Sequence, residues 1–562
     1  MKHQTRFLLA CWLIIASYGS LSAQERPNFI FILTDDQSYG MMGCTGNPIV
    51  QTPHLDQLAE DGVLFTNAHI TSAICTPSRV SILLSQYERK HGVNFNSGTS
   101  VSEAAWANSY PVLMREAGYY TGWIGKNHAP IGRGGYQSGL MEKSFDYWYA
   151  GHGHLTFYPK SRHQIFDDAE SDTQVEIMQE GVADFLDPNA RKLAGALHFL
   201  DQRPSDQTFM LSICFNLPHS ASTSRMELRE SDDEIYKSLY RDQEIPLPAN
   251  YVAKADITHP KLPADLLKVE DRQHSYDFVD TPDLLKERYI RQMQAMTGID
   301  RMVGQLREQL EKLGLSDNTV LIFTSDHGLF MGEYGLGGKA LCYEKVSHVP
   351  MMFFDPRRPR RDRGQQTDAL AQTIDIPTTM LKMAGITVPE SFQGKDLSPL
   401  LAGEDIVLRE YVFTENLWST HFGNPRCEAV QDKRWKYIRY YRNNNLSVLH
   451  KIATAKALGI NLNQMLYGVH DPEIALYRSF IEAPFNGEEI VYEELYDLQY
   501  DPMEAHNLVK DTTKYAKLAE LRVVCQASVK AARGQGPPLV LRYTRDSQNE
   551  ALLNEQKRSA KP

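Results

Sequence analysis

The chain has 562 residues, of which 42% are hydrophobic, 23% charged and 10% aromatic, an ordinary globular composition. Its 59 basic and 70 acidic side chains leave a net charge of −11, so the surface as a whole repels polyanions such as nucleic acid. Any anionic ligand must be held by a local basic pocket. In chain order, the first feature is a leader. Lys2 and Arg6 precede an apolar stretch at 7–16 and the small-residue exit Ser20-Leu21-Ser22-Ala23, so residues 1–23 read as a secretory signal. The apolar run is too short to span a bilayer, and no other stretch of 18 apolar residues follows. The expectation is an exported protein, periplasmic or secreted, without a membrane span. Leu8-Leu9-Ala10-Cys11 is similar to a lipoprotein cleavage box. It leaves almost no apolar region before the cysteine, which makes lipidation the lesser alternative.

Residues 28–33 form a continuous apolar run between Pro27 and Asp35-Asp36, the pattern of a buried central strand. Residues 209–215 and 319–324 repeat it, and the latter run follows a helical register of Ile299, Val303, Leu306, Leu310 and Leu313 stopped by Gly314. Helix followed by buried strand predicts an α/β fold with a largely parallel sheet covered on both faces. Ligands of such sheets gather at the carboxyl ends of the strands. Three of those ends are polar here: Asp35-Asp36, Pro218-His219 and Ser325-Asp326-His327. Residues 220–281 read as a long insertion and 357–363 as a solvated basic turn. Beyond Leu401 the pattern shifts to short pieces such as 435–440 and the hairpin-like 494–498. The expected organisation is a main domain at 24–401, a smaller C-terminal α+β domain with a short antiparallel sheet at 402–545, and a mobile tail at 546–562. Cys44, Cys75, Cys214, Cys342, Cys427 and Cys525 contain no C-x-x-C pair, which argues against a zinc framework. One or two bridges could form in an oxidising compartment, with their pairing open.

Two adjacent aspartates at a strand end raise each other's pKa unless a metal or a Lys/Arg side chain neutralises them. If the strand carrying Asp326-His327 is a neighbour, three carboxylates and His327 meet at one point, a plausible hard-cation site for Ca²⁺ or Mg²⁺. His327 is the awkward ligand, because calcium sites are normally all oxygen. Each pair alone would more simply cap a helix or form a turn. Cys75-Thr76-Pro77-Ser78-Arg79 changes the balance, since its C-x-P-S-R pattern lies between a Ser/Thr-rich approach and an apolar run.

These residues bring the sequence to a known family, the type I sulfatases of the alkaline phosphatase superfamily, which it closely resembles. Gly118-Tyr119-Tyr120-Thr121 with Gly125-Lys126-Asn127-His128 is similar to the family's lysine-histidine block. Phe215-Asn216-Leu217-Pro218-His219 and Gly338-Lys339 with Tyr343-Glu344 match later blocks, as do Asp375-Ile376-Pro377-Thr378, Gly394-Lys395-Asp396-Leu397-Ser398-Pro399-Leu400 and Glu494-Leu495-Tyr496-Asp497-Leu498. The resemblance spans about residues 27–510. It implies an alkaline-phosphatase-like mixed sheet sandwiched by helices. It further implies that Cys75 is oxidised to Cα-formylglycine, by a formylglycine-generating or an anaerobic sulfatase-maturating enzyme, and acts as the nucleophile after hydration.

By the same resemblance Asp35, Asp36, Asp326 and His327 hold the metal with residue 75, and Arg79 steadies the diol. Lys126, Lys339 and His219 bind sulfate, His219 or Lys339 protonates the leaving oxygen, and His128 takes the proton that releases sulfate. Taken singly, a lysine is more often a solvated charge and a histidine a hydrogen-bonded loop residue, and Arg79 could merely cap a helix beginning near Ser78. Three positions depart from the common pattern: Leu84-Ser85-Gln86 replaces a Leu-Thr-Gly ending, Asn127 stands where tryptophan is frequent, and His327 where asparagine is.

The implied reaction is hydrolysis of sulfate esters. Export and long insertions favour a sulfated carbohydrate, and the acidic surface favours chain ends over long polyanions. Candidate sugar contacts are Arg133, Tyr149, His152, His154, Trp418, His421 and Arg426. The alternatives are an arylsulfatase, a phosphonate or phosphodiester hydrolase of the same superfamily, and a non-catalytic relative that only binds sulfated glycans.

Overall fold

The run at 28–33 is the middle of β1 (Asn28–Asp35), buried along its whole length. The other main-sheet strands are β2 (Val63–Phe65), β3 (Tyr120–Lys126), β4 (Tyr147–Gly151), β5 (Phe209–Pro218), β6 (Thr319–Ser325), β7 (Met351–Phe354) and β8 (Gln365–Thr367). They lie in the order β8-β2-β7-β6-β1-β5-β3-β4. Pairing is parallel from β6 through β1, β5 and β3 to β4, and also between β2 and β8. Only β7 runs against both of its neighbours. The structure is a computed structural model that describes residues 26–95, 99–133, 135–151, 195–219, 238–264, 266–267, 276–417, 424–442, 487–535 and 540–542. The leader at 1–23, the tail at 546–562, and His152, His154, Trp418 and His421 lie outside the described residues.

Helices cover both faces: α1 (Pro53–Asp61), α2 (Cys75–Leu84), α3 (Tyr110–Glu116), α4 (Ala196–Gln202), α5 (Pro282–Lys312) and α6 (Asp375–Met383). Side chains alternate along β1. Ile30 and Ile32 join Leu55 and Leu58 of α1, Phe199 of α4 and Ile299 and Val303 of α5. Phe29, Phe31 and Leu33 join Val80 and Leu83 of α2, Met114 of α3 and Met380 of α6. With both faces buried, the strand has no polar side to show, and its sequence is apolar without alternation.

Helix α5 departs from expectation at both ends. It starts at Pro282, where the Thr281 hydroxyl accepts a hydrogen bond from the Leu284 amide at 3.4 Å. Arg288, Arg291, Gln292 and Gln294 are buried in its first half, so polar residues occupy core positions there and the 3.6-residue pattern is lost. Leu313 is the C-cap and 37% exposed, outside the buried stripe. The basic turn also differs. Arg360 and Arg361 face solvent, but Arg357 forks onto Asp355 with two bonds of 2.8 Å, and Arg363 lies over the Phe354 ring. Two of the five arginines, Arg357 and Arg363, thus close their own turn.

A second sheet contains β9 (Val412–Asn416), β10 (Arg426–Gln431), β11 (Trp435–Tyr441) and β12 (Ile490–Asp497), all antiparallel. The piece at 494–498 is therefore the end of β12 and not a separate hairpin. One face of this sheet packs through Phe413, Val430, Tyr437 and Leu495 onto Leu518, Leu521, Cys525 and Val529 of α7 (Tyr515–Arg533). The other places Cys427, Ala429 and Ile438 against Ile70, Ala73, Tyr343 and Val346. Buried Arg89, which follows α2, holds Glu415 and Glu428 at 3.0 and 2.5 Å, and Glu428 also takes Arg439. Leu521 is fully buried at the centre of the α7 contact. Its replacement by alanine is expected to cost about 2–4 kcal/mol, read as a lower denaturant midpoint. A loss below about 1 kcal/mol would show that α7 does not pack as a core element.

Candidate functional site

Neighbouring parallel strands end together. Because β5, β1 and β6 are adjacent, the polar groups that follow them converge. Asp36, just past β1, has φ of +62°, a left-handed conformation that aspartate tolerates better than most residues. One ligand atom from each of Asp35, Asp36 and His327 lies within 4.8 Å of the others.

Arg79 organises this end of the sheet. In α2, Cys75 occupies the first turn and Arg79 the next, four residues on and therefore on the same face. The helix begins at Cys75, so Arg79 is not its cap. Its guanidinium donates from Nη2 to Asp35 at 3.0 Å and from Nε to Asp326 at 2.8 Å. It also donates to the carbonyls of Lys126 at 3.3 Å and Phe215 at 3.2 Å. One fixed cation thus ties together groups on or beside β1, β6, β3 and β5. Ser78 adds a bond to the Asp326 carbonyl at 2.5 Å.

The remaining positive groups sit on the carboxylates. Lys126, at the end of β3, pairs with Asp35, and Lys339 pairs with Asp36 at 2.8 Å. All are buried. Burial alone would push Asp35 up, yet the Lys126 ammonium and the Arg79 guanidinium hold it well below the usual carboxylate range. Burial would push Lys339 down, and the Asp36 carboxylate holds it well above the usual lysine value. The cations foreseen as one option for the paired aspartates are thus supplied by the chain itself.

His219 Nε2 is 3.6 Å from Asp36, and its side chain is 28% exposed, the accessible member of the group. His128, at φ of +45°, lies with Nε2 3.2 Å from the Thr76 hydroxyl beside Cys75. Cys75 itself is fully buried, and burial pushes its thiol up to about 11, against the opposing pull of Lys339 and Lys126. An unmodified thiol here is a weak nucleophile at neutral pH, because only about one in 10⁴ would be thiolate.

The donor set fits a cation. Asp35 Oδ1 and His327 Nε2 are buried and make no hydrogen bond among the described residues. His327 Nδ1 lies 3.0 Å from the Gly328 carbonyl. A proton on Nδ1 would therefore leave the Nε2 lone pair for a metal. Burial holds this imidazole below its ordinary pKa and so neutral. Asp326 stands beside this trio, with Oδ1 3.6 Å from His327 Nε2, but is not among the three whose ligand atoms all lie within 4.8 Å of one another.

Two neighbours of the site carried no signal in the sequence. Arg288 of α5 is 2% exposed, faces the His219 carbonyl at 3.4 Å and lies over the Phe278 ring. Burial pushes it down to about 9, opposed by Asp36. Tyr276 packs on Gly338, where any Cβ would meet its ring at 2.2 Å; only glycine fits beside Lys339. The expected sugar contacts fare less well. Arg426 is buried on β10, pairs with the partly exposed Glu488 just before β12 and stands over Tyr441. Arg133 is exposed, with its amide bonded to Glu103 at 3.0 Å. Tyr149 lies on β4.

Residues 27–386 match the family described as Sulfatase, and residues 332–456 match that described as N-sulphoglucosamine sulphohydrolase, C-terminal. The chain is 23% identical to an N-acetylglucosamine-6-O-sulfatase of Bacteroides thetaiotaomicron, over 93% of this chain and 90% of that protein. It is 27% identical to an ulvan-active sulfatase of Formosa agariphila, over 88% and 78% respectively. A solved structure of a protein in complex with its substrate D-glucosamine-2-N,6-O-disulfate superposes with a TM-score of 0.63 at 21% identity, covering 92% of this chain and 100% of that chain. A phosphonate monoester hydrolase of Agrobacterium radiobacter has the same TM-score at 20% identity, over 90% and 96%. These structural likenesses show the alkaline-phosphatase-like fold.

Proposed function

The chain belongs to the sulfatase family and is a sulfuric ester hydrolase; from that premise we propose that it removes O-sulfate from the ends of a sulfated carbohydrate. Residue 75 acts as formylglycine, and Asp35, Asp36, Asp326 and His327 hold Ca²⁺, with Mg²⁺ the alternative. The observation that carries this reading is the meeting of the Asp35 and Asp36 carboxylates with the His327 imidazole, Asp326 and the buried Cys75 beside them, where Asp35 Oδ1 and His327 Nε2 make no hydrogen bond among the described residues. When present, the cation would supply charge to polarise a sulfate oxygen and the hydrated aldehyde a hydroxyl nucleophile.

The chain's own residues do the rest. Arg79 holds the carboxylates of Asp35 and Asp326 in place. In the structure the positive charges of Lys126 and Lys339 are matched by Asp35 and Asp36. A dication among those carboxylates would leave both ammonium groups as surplus positive charge, the electrostatic condition for drawing in a sulfate ester. The partly exposed ring of His219 is suited to protonate the leaving oxygen, with Lys339 the other candidate, and His128 to accept a proton beside residue 75. A net charge of −11 favours short or terminal substrates over a long polyanion. The named carbohydrate sulfatases among the relatives support the substrate class. Export belongs to the same proposal; among the described residues no helix is long and apolar enough to cross a membrane.

The test is kinetic, on protein co-produced with a maturation system. Defined sulfated saccharides, an aryl sulfate and an aryl phosphodiester are compared before and after chelation. The expected result is sulfate release from a saccharide with kcat/KM at least about 10³-fold above that for the phosphodiester. Activity should fall to background in chelator and return with Ca²⁺. Faster turnover of the phosphodiester would favour the hydrolase alternative, and equal rates on aryl and saccharide esters a plain arylsulfatase. Glycan affinity without any sulfate release would reduce the protein to a binding module.

A further inference from the structure

We propose that Cys342 and Cys427 are joined by a disulfide in the mature protein, a covalent clasp between the segment that carries Lys339 and the second sheet. The two Sγ atoms are 3.5 Å apart. Both residues are fully buried in one apolar cluster with Ile70, Ala73 and Tyr343. Cys342 lies three residues beyond Lys339, and Cys427 is on β10. The Cys342 thiol also faces the Thr414 carbonyl of β9 at 3.6 Å, so its side chain already points into the sheet junction. A disulfide needs its sulfurs about 2.05 Å apart, an approach of about 1.5 Å that two side-chain rotations can share. The other buried cysteines lie elsewhere: Cys75 in the first turn of α2, Cys214 in the β5 core and Cys525 on the buried face of α7.

The oxidant is a disulfide-bearing thiol oxidoreductase. One cysteine thiolate attacks its disulfide to give a mixed disulfide, and the second thiolate displaces the oxidant's sulfur. Both cysteines lose their protons, two electrons pass to the oxidant, and it departs as a dithiol. Because both sulfurs are inaccessible in the folded chain, closure belongs to folding, as the docking sheet brings the two cysteines together and before packing seals them from the oxidant. The finished bond is then shielded from reductants. It closes a sequence separation of 85 residues, a length at which a cross-link restricts the unfolded chain strongly.

The full chain, produced with its leader in an oxidising compartment and in parallel refolded in a glutathione redox buffer, is denatured without reductant in the presence of an alkylating agent and mapped by peptide mass. The expected result is one linked pair of peptides containing Cys342 and Cys427, lighter by two hydrogens than the separate peptides, with Cys44, Cys214 and Cys525 alkylated. Alkylation of both Cys342 and Cys427 in both preparations, or linkage of either to another cysteine, overturns the proposal. Wild type refolded and melted in reductant should have a Tm roughly 5 °C or more below that of wild type refolded in the redox buffer, with Cys427→Ala the same in both. An equal fall in both proteins would also overturn it.

Discussion

Replacing Cys75 with alanine is expected to lower kcat on a sulfate ester by at least about 10⁴-fold, with the melting temperature within a few degrees of wild type. The side chain is small and fully buried in the first turn of α2, and alanine is the best helix former, so the fold loses one sulfur-sized group. Chemistry loses its nucleophile. Alanine removes thiol and aldehyde alike, so the state of residue 75 in the wild type decides between them; burial holds an unconverted thiol at about 11. Mass analysis of the peptide containing residue 75 should show the aldehyde or its hydrate in active preparations. Full activity from protein carrying only the thiol, or from the alanine variant, would remove the basis of the proposed reaction.

Asp35→Asn should damage stability and activity together. The substitution keeps shape and removes charge, leaving Arg79 with Asp326 as its one carboxylate partner and Lys126 buried without the one it pairs with here. Stripping one partner from a buried charge cluster costs about 3–5 kcal/mol, visible as a fall in urea midpoint at pH 7 in chelator. Activity should reach background, since a metal donor is lost as well. The pH dependence has a definite sign. The folded pKa of Asp35 lies well below its ordinary value of 3.8, because Lys126 and Arg79 overcome the penalty of burial. Its contribution is therefore complete above pH 3.8 and is lost as pH falls through the folded value. Between these two limits the stability of the wild type should fall more steeply with acid than that of Asp35→Asn. Parallel acid titrations would show instead that Asp35 is not held by these cations.

The strands were legible because burial on both faces leaves nothing but apolar side chains, as at 28–33 and 319–324. The first half of α5 was illegible for the opposite reason: Arg288, Arg291, Gln292 and Gln294 are buried there among charges and polar groups, so composition suggests a surface that does not exist. Arg426 shows the same limit in reverse. A loop-like arginine reads as a sugar contact, whereas Arg426 is buried on β10 and paired with Glu488. The proximity of Cys342 to Cys427 could not be read either, since the spacing of two cysteines says nothing about their distance when a sheet must dock to bring them together.

By itself the sequence determined the chemical inventory: a cysteine in its motif, adjacent aspartates, and lysines and histidines in blocks that identify a family. Tertiary structure alone decided the company each group keeps. Asp36 and Asp326 stand 290 residues apart, yet the Asp36 amide lies 3.4 Å from the Asp326 carboxylate because β1 and β6 are register-paired neighbours. The directions in which Asp35 and Lys339 are shifted follow from such non-local partners. A pKa depends on distance and desolvation, and both exist only once the strands have found their order.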